Sequence, residues 1–293
     1  MLGSICAVTM VVPDLAPMQA AYTAFLGMRV VARGAVSPED ASRWGTPAAS
    51  GCAYVALMPE TGEETCLRFI AAPDLPPAPA FVSFGWNATE ITVRDTDALA
   101  ARLEGSPFRM IGPPANLKGF EWIRAMQVLG PCGECLYLTD VRKDASLAQA
   151  KAEIGQVFIV VVGGPDIGAL QAFYRSHFSN DVSDSVAIPI GVISNAHKLP
   201  ADYLHSLALV TLPEGTRIEL DQYPPQAAAR ATLPGHLPPG LAMVSFRVKN
   251  FPEHGLLAPP SASDMAPFVG ARTACLRGGA GELIELVEED VLF

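Results

Sequence analysis

Two stretches of this chain, far apart in sequence, carry one signature: an apolar, β-branched run, a Pro-Asp pair, then apolar residues spaced for a single helix face. The first runs through residues 5–12 and Pro13-Asp14, after which Leu15, Met18, Tyr22 and Phe25 recur at helical intervals. The second runs through residues 157–162 and Pro165-Asp166, followed by Ile167, Leu170 and Tyr174. Pro and Asp suit the opening of a helix, and Gly27 suits its left-handed stop. A recurring unit limits the fold more tightly than composition does, because each copy must bury its apolar faces against others.

Around these signatures the order β-α-β-β-β is read four times. In the first copy, strands at 29–36, 52–58 and 65–71 follow the helix, the last two joined by a Pro59-Glu60-Thr61-Gly62 turn. The second has strands at 88–94, 108–112, 123–129 and 134–139, with a short helix bearing Leu99 and Leu103. The third closes with strands at 205–212 and 217–220. The fourth opens at 243–248 and ends with strands at 273–276 and 283–287; prolines break its helix region, 251–260, into a stub or turn. The copies span 1–72, 80–143, 155–225 and 240–293. Taken in chain order they predict an N-terminal domain, 1–143, a helical linker, 144–154, and a C-terminal domain, 155–293.

Composition excludes several classes. Half of the residues are hydrophobic, 17% are charged and the mean hydropathy is +0.28, which is incompatible with disorder. The apolar runs are too short for a spanning helix, and residues 1–12 lack the basic start of a secretory signal. A cytoplasmic chain without membrane partners is expected. Residues 1–150 hold 11 Lys and Arg against 15 Asp and Glu, and the remainder 9 against 15, with no basic block to take nucleic acid. Cys132 and Cys135 form a C-x-x-C pair on a hairpin rather than at a helix start, with no second ligand pair, and read as incidental rather than redox-active or zinc-binding. No nucleophile elbow or nucleotide-binding glycine loop is present.

The stretch Val12-Pro-Asp-Leu…Tyr22-Thr-Ala-Phe-Leu-Gly27-Met-Arg-Val-Val, echoed by Pro165-Asp166…Ala172-Phe-Tyr-Arg175, resembles the vicinal oxygen chelate superfamily. That superfamily includes glyoxalase I, bleomycin-resistance proteins and extradiol dioxygenases, and the resemblance covers nearly the whole chain. It implies an α+β fold in which four βαβββ modules pair into two domains, each enclosing a cleft. In metal-using members a His or Gln comes from the middle of a module's first strand and a Glu from its last. Here the first-strand positions are Ala7, Ala88, Met243 and one of Val157, Phe158 and Ile159; the last-strand positions are Arg68, Tyr137, Glu219 and Glu285. Arg68 would repel a cation. The resemblance therefore implies no cofactor, with a divalent metal between Glu219 and Glu285 as the alternative.

Chain-order pairing would put Glu219 and Glu285 in one C-terminal cleft, where repulsion and desolvation would make one a general base. Glu219, Glu285 and His205 are accordingly the catalytic candidates, and Arg68, Tyr137 and Met243 the ligand-binding ones. The bland alternatives are a surface ion pair of Glu219 with Arg217 and a strand-edge His205. The expected function is action on, or binding of, a small apolar or aromatic, oxygenated compound by a lyase, isomerase or dioxygenase-like protein. The rival is non-catalytic sequestration of the bleomycin-resistance type. A homodimer is compatible with either.

Overall fold

The computed structural model describes residues 1–60, 65–76 and 78–289. Thr61 and Gly62 of the expected first hairpin turn lie outside them. The first module comprises β1 (Ile5–Val12), α1 (Leu15–Leu26), β2 (Met28–Ala35), a short helix α2 (Pro38–Arg43), β3 (Ala53–Pro59) and β4 (Cys66–Ala71). The second comprises β5 (Gly85–Val93), α3 (Thr96–Leu103), β6 (Arg109–Leu117), β7 (Phe120–Leu129) and β8 (Cys135–Val141). The third has β9 (Ile154–Gly164), α4 (Ile167–Phe178), β10 (Val186–Pro189), a second short helix α5 (Gly191–Ala196), β11 (Leu204–Thr211) and β12 (Arg217–Gln222). The fourth has β13 (Gly240–Val248), β14 (Ser261–Ala262), β15 (Arg272–Arg277) and β16 (Leu283–Glu288), with no helix at 251–260. The main helices open as the sequence indicates: Asp14, Asp95 and Asp166 each accept backbone N–H bonds of the first turn, and Gly27 closes α1 with φ +59°.

The strands form two eight-stranded sheets, ordered β14-β15-β16-β13-β1-β4-β3-β2 and β10-β11-β12-β9-β5-β8-β7-β6. This corrects the chain-order pairing: the first module joins the fourth, and the second joins the third. Within each module the first strand pairs parallel with the last and leaves one edge free. Those free edges meet antiparallel, β1 on β13 and β5 on β9. Residues 142–153 stay within one sheet, whereas the connections at 72–84 and 223–239 cross from one sheet to the other. A repeat identifies modules but not partners, since all four first strands are apolar and present equivalent edges. The expected helical linker is instead irregular, turned by Asp144, whose carboxylate accepts from the Ser146 backbone N–H and hydroxyl.

The helix-bearing faces of both sheets share one core. Val8, Met10, Met18 and Tyr22 pack there with Leu136, Leu138, Val160, Tyr174, Val244 and Phe246. Trp86 of the second sheet donates its Nε1–H to the Leu283 carbonyl of the first at 2.7 Å. Two matching buried contacts tie consecutive modules across this interface. The Tyr22 hydroxyl donates to Glu134 Oε1 at 3.0 Å, and that of Tyr174 to Glu282 Oε1 at 2.9 Å. Each glutamate also folds back onto its own hairpin, accepting from Cys132 N or Ala280 N.

Burial lifts Glu134 and Glu282 to about 7, against the ordinary carboxylate range. The folded chain therefore binds these protons more tightly than the unfolded chain. Their stabilising contribution is complete below the unfolded glutamate pKa and is lost as pH rises through about 7. The thermal midpoint is expected to fall between roughly pH 5 and pH 8, and the Glu134→Gln, Glu282→Gln double variant to show a flatter profile. Thermal denaturation across that range, followed by circular dichroism, checks both.

Candidate functional site

The concave face of each sheet lies at the seam between its two modules, and strand register places the predicted residues on it. In the first sheet Ala7 stands opposite Cys66 and Ser245, Thr9 opposite Arg68, and Ser245 opposite Glu285. In the second, Ala88 stands opposite Cys135 and Val161, Glu90 opposite Tyr137, and Val161 opposite Glu219. The two seams thus correspond residue by residue. Thr9, Arg68, Ser245 and Glu285 occupy in one the places of Glu90, Tyr137, Val161 and Glu219 in the other. Glu219 and Glu285 do not share a cleft, which corrects the expected pair. Arg68 faces Glu285, and Tyr137 lies near Glu219.

The cleft of the first and fourth modules is filled by its own side chains. Arg68 is fully buried, and its Nη2 donates to Glu285 Oε2 at 2.8 Å while its Nε donates to the Thr9 hydroxyl at 2.9 Å. Glu285 also accepts from Trp44 Nε1 at 2.8 Å and from the Ser245 hydroxyl at 2.5 Å. The rings of Trp44 and Phe268 lie 5.2 and 5.8 Å from the guanidinium carbon. Trp44 follows directly on α2, whose Asp40 and Arg43 are themselves paired and buried. Met243, expected to touch a ligand, is buried in the same packing, with Cys275 Sγ 3.9 Å from its sulfur.

The cleft of the second and third modules is different. Glu219 is half-buried and makes no hydrogen bond or ion pair among the described residues. The proposed partner, Arg217, is turned away onto the carbonyls of Thr216 and Ser146. Glu90 accepts only from the Thr139 hydroxyl. Asp221, two residues beyond Glu219 and on the same strand face, is 1% exposed, and its Oδ1 has no partner. Tyr223 is 2% exposed with an unpartnered hydroxyl, its ring resting where a side chain on Gly163 would stand. Burial lifts Glu90 to about 7 and Asp221 to about 8. Glu219 is raised well above the ordinary carboxylate range, by burial and then by the Asp221 and Glu90 carboxyls. Three neighbouring carboxyls without a counter-cation cannot all ionise at neutral pH.

His205 also belongs to this half, but its Nε2 is taken by the Ser194 hydroxyl of α5 at 3.0 Å, and burial lowers its pKa. By strand register it lies on the same face as Glu219 and Asp221, two residues before Leu207, and its Nδ1 has no hydrogen-bond partner among the described residues. A cavity of about 540 Å³ in the same half is lined by Phe81, Ile111, Leu129 and Val192, with the exposed Arg109 also on its wall. Phe81, Ile111 and Leu129 pack in one apolar cluster with Ala88, Val161, Tyr137 and Tyr223, which carries that lining to the acidic centre. Sequence reasoning missed Glu90, Asp221, Tyr223 and α5. Asp221 and Tyr223 share the alternation of Glu219, so extending that strand by its period of two would have found them.

Neither cleft fits the His and Glu ligand set that the resemblance implies. In one, the guanidinium of Arg68 already neutralises Glu285; in the other, Ala88 and Val161 offer no donor atoms. Among the described residues no group of three or more His, Cys, Asp or Glu side chains is arranged to hold a metal ion.

No family model and no curated protein matches this sequence. Solved structures do. Glyoxalase I from Zea mays is 14% identical with a TM-score of 0.62, over 97% of this chain and 92% of that one. A Bacillus subtilis protein provisionally named a dioxygenase is 14% identical with a TM-score of 0.65, over 99% of this chain and 86% of that one. At this identity the likeness establishes the fold alone.

Removing one member of the buried Arg68–Glu285 pair leaves the other charged and unpartnered. Glu285→Ala is expected to cost about 3–5 kcal/mol, and the double variant Arg68→Met, Glu285→Leu less than that. Urea denaturation of the three proteins checks the order.

Proposed function

From the vicinal oxygen chelate fold, we propose that this protein binds a small molecule with an apolar or aromatic body in the cleft of its second and third modules. We further propose that Glu219 moves a proton on it without a metal. One observation carries this reading: at corresponding positions of two equivalent seams, Glu285 is saturated with donors and Glu219 has none. A half-buried carboxyl with two other acids beside it and no hydrogen-bond donor costs stability unless something else completes it. Its raised pKa lies on the side that suits a general acid or base near neutrality. The Tyr223 hydroxyl and the Asp221 carboxyl, held protonated by its surroundings, are the neighbouring donors for a polar group of the guest. The apolar cavity in the same half takes the body of the molecule.

The reaction class within reach is proton transfer at carbon, as in an isomerase or lyase. Sequestration without turnover is the second reading, favoured because among the described residues no cationic side chain stands beside Glu219 to hold a developing oxyanion. The fold makes no choice between the two, because one scaffold hosts many chemistries.

A thermal-shift screen of aromatic and other apolar carbonyl compounds supplies the ligand. Incubating each stabilising compound in deuterated water then reports proton transfer directly by proton magnetic resonance. Glu219→Gln is expected to slow exchange by about 10²–10⁴-fold while leaving the protein folded. Stabilisation with no exchange by the unaltered protein indicates sequestration. Stabilisers whose effect survives Glu219→Gln undiminished would place the ligand elsewhere.

A further inference from the structure

The two seams supply a template for the missing ligand. In the filled cleft, a carboxylate, a cation and two aromatic faces form one buried assembly of Glu285, Arg68, Trp44 and Phe268. In the open cleft, Glu219 keeps the carboxylate position, and Glu90 and Asp221 add two more acids. Tyr137 takes the place of Arg68, and Tyr223 brings a second aromatic ring. The cation alone has no counterpart. The positive side chains of the neighbourhood are turned elsewhere: Arg217 onto backbone carbonyls, and Arg230 onto the Ser83 hydroxyl and the carbonyls of Trp86 and Leu241.

We propose that the open cleft takes an organic cation, an amine or guanidinium on an apolar body, in the position that the Arg68 guanidinium fills in its twin. This rests on the reading of that cleft as a ligand site and specifies the guest's polar end. Two observations independent of the acidic residues point the same way. The hydroxyl of Tyr223, 2% exposed, has no partner, and its ring is seated where only glycine at 163 leaves room. A cavity lined by Phe81, Ile111, Leu129 and Val192 adjoins the apolar cluster that holds Tyr137 and Tyr223, and an apolar tail has a place to lie there. A neutral, hydroxyl-bearing guest would be held as well by Gln and Asn, which carry no cost of charging in a buried site. Carboxyls surpass amides when the guest is positive, and tyrosine rings add attraction for a cation over their faces.

Burial raises the carboxyls of this cleft above their ordinary range, and an arriving cation favours their ionised forms, so binding releases protons. The groups facing this exchange are Glu90 on β5, Cys135 and Tyr137 on β8, Glu219 and Asp221 on β12, His205 on β11, and Tyr223 with its neighbours Arg230 and His197. The same step leaves Glu219 a carboxylate, the form that can accept a proton.

Isothermal titration with benzamidine and phenethylamine, against phenylacetate and benzyl alcohol as anionic and neutral counterparts, tests the proposal. The cations are expected to bind at least about ten-fold more tightly than either counterpart. They should also release protons, measured in two buffers of different ionisation enthalpy. Glu219→Gln should weaken them by about ten-fold or more. Tyr137→Arg should install the cation within the chain, abolishing benzamidine binding while raising the thermal midpoint. Equal binding of benzyl alcohol or phenylacetate, weakened by Glu219→Gln, overturns the cation but keeps the cleft as a ligand site. Cation binding indifferent to both substitutions overturns the inference and the ligand site together, as does failure of all four probes to bind.

Discussion

Everything in this molecule depends on two antiparallel seams, β1 against β13 and β5 against β9. A single βαβββ module ends in an unsatisfied edge at its first strand, a row of backbone donors and acceptors that invites pairing. Joining two such edges satisfies both and puts the first strands at the middle of an eight-stranded sheet. These strands are then covered on both faces, which is why β1 is buried at every residue. The seam also decides where chemistry can occur, since the concave surface on either side of it gathers residues from first and last strands of two modules. The hydrophobic excess of the chain is the composition of four strands covered on both faces.

From that common frame the two clefts have diverged along a physical line. One is completed from within, with a buried ion pair, an indole and a phenylalanine ring taking up the space. The other keeps carboxyls and tyrosines without the charge that would balance them. The contrast is internal, made within one chain between positions that strand register equates. It therefore needs no relative for support, and the solved structures that share the fold add only the fold.

How far the sequence reveals this differs by level. The modules are legible because period-two strands, Pro-Asp helix starts and glycine stops are local features, and α1, α3 and α4 stand where those features put them. Arg68, Tyr137, Glu219 and Glu285 are legible as cleft positions only through the family resemblance, which implies that each module's last strand faces the cleft. Which module pairs with which is not, because it is settled by connections and by packing on the far faces of the sheets. That one unknown misassigned Glu285 to the company of Glu219. The short helices α2 and α5 were illegible as well, being too brief for helical periodicity, yet one precedes the indole that closes a cleft and the other carries the hydroxyl that engages His205. The large aromatics divide between core and surface: Phe69, Trp86 and Phe246 fill the shared core, while Trp122 and Tyr203 face solvent.

The exchange of module partners has a consequence for how the chain is made. The second and third modules are contiguous and can complete their sheet as soon as both have left the ribosome. The first module cannot, because Ile5 pairs with Phe246 and β1 must wait for β13. While the intervening modules are being made, the apolar first strand therefore presents an open edge with its rightful partner not yet formed. Pairings of such long sequence separation form late and slowly, and exposed edges in the interval invite association with other chains. The sheet whose cleft is filled by its own side chains is thus the later of the two to form, and its buried Arg68–Glu285 pair, 217 residues apart in sequence, can close only once the fourth module has been made.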